Sequence, residues 1–262
     1  MAKIQLKSDI ITPFGGIFSI INLFHRLKLD KVIDGHLGNR VKLFGFQYSQ
    51  IIESIFYLYL CGGTHIEDLN MLGSHLEQMP GVDIPSPDTV LNGIKELTCE
   101  NTCYTSDKGK RYEQNLNGKL NELMLELLLA TGQLKAGLYD FDFDHQAIET
   151  EKQDTQCCYK GFRAYFPGIA QINGMTVGIE NRDGNMPVKF HQADTLERYY
   201  KRLKDRGIAI YRSRMDCGSY SEDIVRMVHS YSYLFYIRAL SSETLREEIK
   251  KEDRLENCKD WR

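Results

Sequence analysis

The sequence predicts an α/β protein in which an all-helical region precedes a mixed β-sheet with helices. In the first half of the chain, apolar residues recur at helical spacing in segments bounded by glycine or by helix-capping residues. From Leu134 onward the pattern changes to short runs of aromatic and β-branched residues with strand-like alternation. Helical segments separate the last of these strands, as crossovers do between parallel strands. We therefore expect a helical region over residues 1–132 and a sheet region over residues 133–262.

Within the helical region, apolar periodicity and helix breakers define each segment. The clearest start is Ser86-Pro87-Asp88-Thr89, where serine suits the N-cap, proline the first helical position and the acid the first turn. Residues 101–111 are polar and lysine-bearing, which is typical of a connection. The predicted helices cover 18–29, 48–60, 66–76, 87–97 and 116–130.

The sheet region contains five strand-like segments and three helical ones. The first strand, Gly137–Phe143, alternates apolar and acidic residues, and Pro167-Gly168 interrupts the second. A turn at Asn173-Gly174 precedes the third strand. The predicted strands are 137–143, 159–172, 175–180, 208–212 and 233–237, and the predicted helices are 194–203, 219–228 and 241–253.

The connections between these segments predict the topology of the sheet. Short links join the first three strands, which therefore pair as antiparallel hairpins. Helical crossovers lead to the fourth and fifth strands, which therefore join in parallel. A mixed sheet of this kind resembles the ribonuclease H-like fold.

Three aspartates on the first strand are the first candidate site residues. Asp140, Asp142 and Asp144 occupy alternate positions, so that all three carboxylates lie on one face. Like charges at this spacing repel, and a hard divalent cation such as Mg²⁺ compensates them. The alternative is a face of an edge strand that simply points to water.

A fourth acid, Asp216, favours the metal interpretation. It follows the fourth strand, which the topology places beside the first in parallel, and ligands gather at the carboxyl ends of such strands. We expect Asp144 and Asp216 to share a metal, with Arg212 and Arg214 close enough to serve phosphate chemistry. Gly218 permits the turn that follows, and Ser219 is the expected cap of the next helix.

Composition and motifs exclude several classes of protein. The 262 residues are 42% apolar and 26% charged with a net charge of −3, which is ordinary for a folded domain and unlike a histone-type basic protein. The longest apolar run, Ile51–Cys61, contains Glu53 and is too short to span a membrane. We expect no signal peptide, because the first residues have no apolar run, and seven cysteines fit a reducing cytosol. Zinc-hydrolase histidine spacing, a P-loop and a G-x-S-x-G elbow are all missing.

Two stretches are candidates for nucleic-acid contact. Between Arg182 and Arg214 nine basic residues stand against four acidic ones, a possible phosphate footprint or else a solvated helix face. In Tyr159–Tyr165, aromatic residues alternate with Lys160 and Arg163. Such a segment either stacks on and grips nucleic acid or is a plain amphipathic strand.

Three motifs together resemble bacterial insertion-sequence transposases of the DDE type, which have a ribonuclease H-like catalytic core. They are Asp-Phe-Asp-Phe-Asp-His-Gln at 140–146, Glu-Asn-Arg-Asp-Gly-Asn at 180–185 and Arg-Met-Asp-Cys-Gly-Ser-Tyr at 214–220. The helical first part, including Ser86-Pro-Asp-Thr89, is also similar to that family.

The resemblance implies Mg²⁺- or Mn²⁺-assisted DNA cleavage and strand transfer at element ends by a homo-oligomer acting on the bacterial nucleoid. Residues 1–132 would bind DNA or dimerise. Asp144 and Asp216 would hold the metal, and Asp142 would be a catalytic acid close by, either as a further ligand or as a carboxylate just behind the ligands. His145 would lie near the metal or a phosphate, unless it is merely a turn residue. Phosphate contacts would come from Lys160, Arg163, Arg182, Lys189, Arg212 and Arg214.

One departure from the family pattern concerns its third acid, a glutamate on a helix after the fifth strand in a Tyr-x-x-Arg-Gly-x-x-Glu-like segment. Glu247, Glu248, Glu252 and Glu256 lie in the right part of the chain but in no such motif. We therefore expect the first part of a longer transposase, inactive alone. The alternatives are a fragment that only binds DNA or oligomerises, and an unrelated metal-dependent nuclease that cleaves without sequence preference.

Overall fold

The computed structural model describes residues 11–40 and 45–251, which divide into two compact units. One unit comprises the described residues up to Glu100 together with Asn117–Leu134. The other comprises Asn101–Leu116 and the described residues from Lys135 onward. The chain thus passes between the units three times, because the segment 101–116 leaves the helical unit and joins the sheet.

The first unit is helical, as predicted. Its helices bury Ile21, Ile51 and Val90 in one apolar cluster and Ile33 and Leu123 in a second. The predicted first helix is two helices, because Lys28 between them has a left-handed backbone (φ 55°). The described helices of this unit are α1 (Ile17–Arg26), α2 (Leu29–Leu37), α3 (Tyr48–Leu60), α4 (Leu69–Leu76), α5 (Pro87–Glu96) and α6 (Gly118–Ala130).

Local capping explains where two of these helices begin. The hydroxyl of Ser86 accepts a hydrogen bond from the backbone N–H of Thr89, with proline at the first helical position of α5, as predicted. The side chain of Asn117 accepts from the N–H of Leu120 at the start of α6 (3.1 Å).

The second unit is built around a seven-stranded mixed sheet within the described residues. A stretch of chain between two strands of this large sheet forms a small three-stranded sheet, and three helices complete the described part of the unit. The strands are β1 (Thr102–Thr105), β2 (Arg111–Asn115), β3 (Gly137–His145), β4 (Ile148–Glu149), β5 (Gln156–Cys157), β6 (Arg163–Tyr165), β7 (Gly168–Ile172), β8 (Met175–Arg182), β9 (Ile208–Met215) and β10 (Ser232–Ile237). The helices are α7 (Gln192–Lys204), α8 (Glu222–Tyr231) and α9 (Glu243–Lys251).

Strand order and direction in the large sheet confirm the predicted ribonuclease H-like fold. The order is β1-β2-β8-β7-β3-β9-β10. Strands β3, β7 and β8 pair antiparallel, whereas β9 pairs parallel with both β3 and β10. The crossovers α7 and α8 lead into β9 and β10, so that β3 and β9 are parallel neighbours, each with a strand on both sides.

Two features of the sheet differ from the sequence expectation. The stretch expected to be a polar connection forms the hairpin β1–β2, and Gln114 and Asn115 of β2 pair antiparallel with β8. The single strand expected over 159–172 is two strands in different sheets, because Pro167 has no N–H for a ladder and separates β6 from β7.

Aromatic packing positions the central strand. Phe141 and Phe143 of β3 are buried and lie against Tyr200 and Tyr199 of α7, with ring centroids 4.7 and 6.3 Å apart. The aspartates that alternate with these two rings along β3 therefore face away from α7. In the described part of the chain, no helix has the length and apolar character needed to cross a bilayer.

Candidate functional site

The acidic face of β3 and the basic face of β9 form a ladder of ion pairs. The parallel register sets Arg212 opposite Asp140 and Arg214 opposite Asp142. Arg214 donates from Nε and a terminal nitrogen to the two oxygens of Asp142, both at 2.7 Å. Arg212 grips Asp140 in the same two-pronged way, with Nε at 2.9 Å, and this bond is the main reason that the pKa of Asp140 is lowered. Two of the three predicted strand acids are thus neutralised by the neighbouring strand.

The next position on each strand holds an acid without such a partner. Because Phe143 pairs with Met215, Asp144 and Asp216 follow directly on adjacent parallel strands. Neither carboxylate forms an ion pair within the described residues. Asp144 accepts from the N–H of His145 (2.7 Å), and Asp216 accepts from the N–H of Gly218 (2.9 Å). Burial raises the pKa of Asp144, and the charge of Asp216 raises it further.

A cleft of about 440 Å³ opens over these strand ends. Its lining brings together three of the predicted acids, Asp142, Asp144 and Asp216, with Arg214. Sequence reasoning missed two glutamines of the lining, Gln146 and Gln171. Gln146 ends the 140–146 motif in the sequence, whereas Gln171 could be found only through topology, since it lies on β7 opposite Asp142. The remaining lining residues are Phe143, His145, Ile169 and Met215.

His145 forms part of the cleft wall as a neutral ring. It stacks on Phe166 with centroids 5.3 Å apart, and burial lowers its pKa to about 3. Its Nε2 is buried and has no hydrogen-bond partner among the residues that the structure describes. Gly168 on β7, which pairs with His145 of β3, is needed here, because a Cβ would lie 2.6 Å from the Phe143 ring and 3.0 Å from the His145 Nε2.

Asp216 also caps the structure that follows β9. Its side chain accepts from Gly218 at the start of a 3₁₀ turn, Cys217–Ser219. The prediction that Ser219 caps the next helix is wrong, because α8 begins at Glu222. Ser219 is instead buried, and its hydroxyl accepts from the Gln192 amide at 2.7 Å.

The expectation that Arg182 contacts DNA is wrong. Its side chain is completely buried and donates to Glu180 (2.8 Å) and to the carbonyl of Phe190 (2.9 Å). Glu180 also accepts from Arg198 (2.6 Å) and Thr195 (2.7 Å). The segment 180–185 singled out in the sequence therefore contributes a buried ionic network to the interior of the unit.

The other predicted phosphate contacts lie outside this interior. Lys160 is exposed, with its ammonium 5.8 Å from the Tyr159 ring centroid. Arg163 donates to the carbonyls of Lys152 and Gln153, so that its guanidinium holds the loop before β5. Lys189 is half-buried in the loop between β8 and α7.

The glutamate expected as the third acid is not grouped with Asp144 and Asp216 in the described part of the chain. Among the described residues, no three His, Cys, Asp or Glu side chains are grouped so that they could hold a metal ion. Glu247 and Glu248 are exposed on α9, while Glu252 and Glu256 fall outside the described residues.

Comparison with known proteins gives loose structural likenesses. No protein-family model matches the sequence, and no curated protein matches it. The strand transfer complex of the Drosophila P element transposase has a TM-score of 0.36 and 13% identity, over 81% of this chain and 42% of that one. A piggyBac transposase synaptic complex with hairpin DNA has a TM-score of 0.34 and 12% identity, over 87% and 51%.

The Mos1 transposase paired-end complex with the left transposon end has a TM-score of 0.29 and 12% identity, over 92% of this chain and 80% of that one. The chain spans about half the length of the first two structures. Likeness at this level establishes neither a family nor an activity.

Proposed function

We propose that this chain is part of a DDE-type transposase of the insertion-sequence kind, whose metal-dependent site cleaves and joins DNA. The observation that carries the proposal is the pair Asp144 and Asp216, which lie at the carboxyl ends of adjacent parallel strands in a ribonuclease H-like sheet and have no cationic partner among the described residues. Ligands of α/β sheets gather at such strand ends.

The chemistry of the two acids fits a divalent metal. Both are hard oxygen donors on one cleft, and Mg²⁺ or Mn²⁺ commonly takes one or two carboxylates, with water and substrate phosphate completing its shell. Burial and, after it, the charge of Asp216 raise the pKa of Asp144, and a bound cation would offset that concentrated negative charge. A metal held by Asp144 and Asp216 would supply activation of the attacking oxygen and charge stabilisation at the leaving oxygen.

The surrounding residues supply charge and shape for a phosphate backbone. Arg214 lies on the cleft beside the acids, and Arg212 continues the basic row along β9. Lys160, Arg163 and Lys189 extend the proposed DNA contacts. The helical unit is proposed to bind DNA or to dimerise, and the active form to be a homo-oligomer on duplex DNA.

A second candidate is a chain that binds DNA without cutting it. The observation that favours it is the lack of a third acid grouped with Asp144 and Asp216 among the described residues. Without that acid the attacking group would be held less well in place, and misplacing it by about 1 Å can reduce the reaction rate roughly 10²-fold.

Metal titration tests the site. We expect calorimetry to show that Mn²⁺ binds the whole chain. Asp144→Asn and Asp216→Asn should each weaken Mn²⁺ binding at least about tenfold, since each variant removes one of two charged ligands. Asp107→Asn, on the exposed turn between β1 and β2, is the control with the same charge change. Equal Mn²⁺ affinity in all four proteins would contradict the proposed site.

DNA binding and cleavage separate the two candidate functions. Affinity for a labelled duplex should fall steeply with salt, because lysine and arginine contacts release counterions. Nicking of supercoiled plasmid in Mn²⁺ that Asp216→Asn abolishes supports a complete catalytic site, and salt-sensitive binding without nicking supports the second candidate. Salt-independent binding, or none, would contradict both.

A further inference from the structure

We propose that Arg214 withholds Asp142 from the metal, and that a DNA phosphate releases it by taking the guanidinium, so that metal and DNA bind cooperatively. The proposal rests on the metal site at Asp144 and Asp216 and adds to it a third carboxylate that becomes available only with substrate.

The geometry around Asp142 defines this role. Asp142 lies two residues before Asp144 on the same face of β3, so their Cα atoms are about 7 Å apart. Both acids line the same cleft, and so does Arg214. Asp142 is therefore the acid best placed to join Asp144 and Asp216, and yet both of its oxygens are engaged by Arg214 at 2.7 Å.

The pair is accessible enough to exchange partners. The Arg214 side chain is 53% exposed and that of Asp142 is 31% exposed. Exposed ion pairs contribute little net stability, because water competes for both charges. A guanidinium binds a phosphate with the same two-pronged geometry that it uses for a carboxylate. A DNA phosphate entering the cleft thus competes directly for Arg214.

The neighbouring rung of the ladder is a built-in control. Arg212 holds Asp140 in the same way, with a side chain that is 44% exposed. Asp140 and Arg212 lie two residues farther from the strand ends and do not line the cleft. Releasing Asp140 should therefore leave the metal site unchanged.

Thermodynamic linkage makes the consequence measurable. If DNA frees a metal ligand, then metal binding must strengthen DNA binding by the same factor. Coupling between two sites commonly changes affinity 5- to 150-fold, and we expect roughly tenfold here.

The test is a set of Mn²⁺ titrations by calorimetry on the whole chain. Without DNA, Arg214→Gln should bind Mn²⁺ roughly tenfold more tightly than the wild type, whereas Arg212→Gln should bind like the wild type. Arg214→Lys keeps the positive charge but loses the two-pronged guanidinium. A gain in Mn²⁺ affinity in this variant therefore does not come from a change in net charge. Thermal unfolding of each variant, followed by circular dichroism, reports whether it is folded.

A double-mutant cycle identifies Asp142 as the released group. Asp142→Asn should leave Mn²⁺ affinity unchanged in the wild-type background but abolish the gain in the Arg214→Gln background. A saturating 20-base-pair duplex should tighten Mn²⁺ binding in the wild type and have much less effect in Arg214→Gln.

The outcomes distinguish this proposal from the one on which it rests. If Mn²⁺ binding depends on Asp144 and Asp216 but Arg214→Gln gives no gain, or Arg212→Gln gives an equal one, the release of Asp142 is refuted and the metal site stands. If the wild type binds no Mn²⁺ with or without duplex, both proposals fail.

Discussion

The buried ion pair between Glu180 and Arg182 offers a direct test of how charge is buried in the interior of the second unit. Both side chains are wholly excluded from water, and Arg182 donates to two backbone carbonyls as well as to Glu180 and Thr195. Replacing Glu180 by glutamine keeps the shape but removes the negative charge that Arg182 and Arg198 share. The variant therefore leaves buried guanidinium charge uncompensated.

The magnitude follows from the cost of such a charge. Removing one partner of a buried pair typically destabilises a protein by about 3–5 kcal/mol. For a unit of roughly 150 residues, each kcal/mol lowers the melting temperature by about 2–4 °C. Glu180→Gln should therefore lower it by roughly 6–20 °C, as followed by circular dichroism or calorimetry.

An exposed pair in the same unit is the matched control. Glu222 and Arg226 on α8 form an ion pair four residues apart in which both side chains are 77% exposed. Such pairs contribute about 0.3–0.5 kcal/mol, so Glu222→Gln should change the melting temperature by no more than about 2 °C. If both variants unfold at the same temperature as the wild type, the assignment of Glu180 to a water-free network is wrong.

Two further variants test packing and burial. Gly168→Ala places a methyl group 2.6 Å from the Phe143 ring and should destabilise the chain by about 1–3 kcal/mol in thermal unfolding. The control is Gly137→Ala, which meets only the Tyr139 side chain at 3.2 Å and should destabilise the chain less. Equal losses of stability in the two variants would contradict this packing. Burial raises the pKa of Glu53 in α3, so the folded state favours its protonated form and loses stability as pH rises above the unfolded value near 4.3. Glu53→Gln, which keeps an acceptor for the Tyr57 hydroxyl, should therefore raise the melting temperature more at pH 7.5 than at pH 4, and a difference that is constant with pH would refute this.

Local pattern determined the elements around the candidate site. Alternation of phenylalanine and aspartate along β3 was enough to predict a strand with a buried aromatic face and an acidic face. Helices between the later strands predicted that β9 joins β3 in parallel, and hence that Asp144 and Asp216 follow adjacent strands. These inferences succeeded because the alternation of side chains along a strand, and the parallel direction of strands joined by a helical crossover, both follow from backbone geometry.

Register and burial were decided only by the tertiary structure. The sequence assigned Arg212 and Arg214 to phosphates, but the register of β9 against β3, which shifts between Tyr139 and Asp140, gives each arginine a carboxylate partner. Arg182 reads as one more basic residue in a basic window, yet the packing of α7 on β8 buries it with Glu180 and Thr195. The hairpin β1–β2 likewise joins the large sheet through the pairing of β2 with β8. In each case the outcome depends on a partner distant in sequence, and the charge or polarity of a residue does not specify which partner that is.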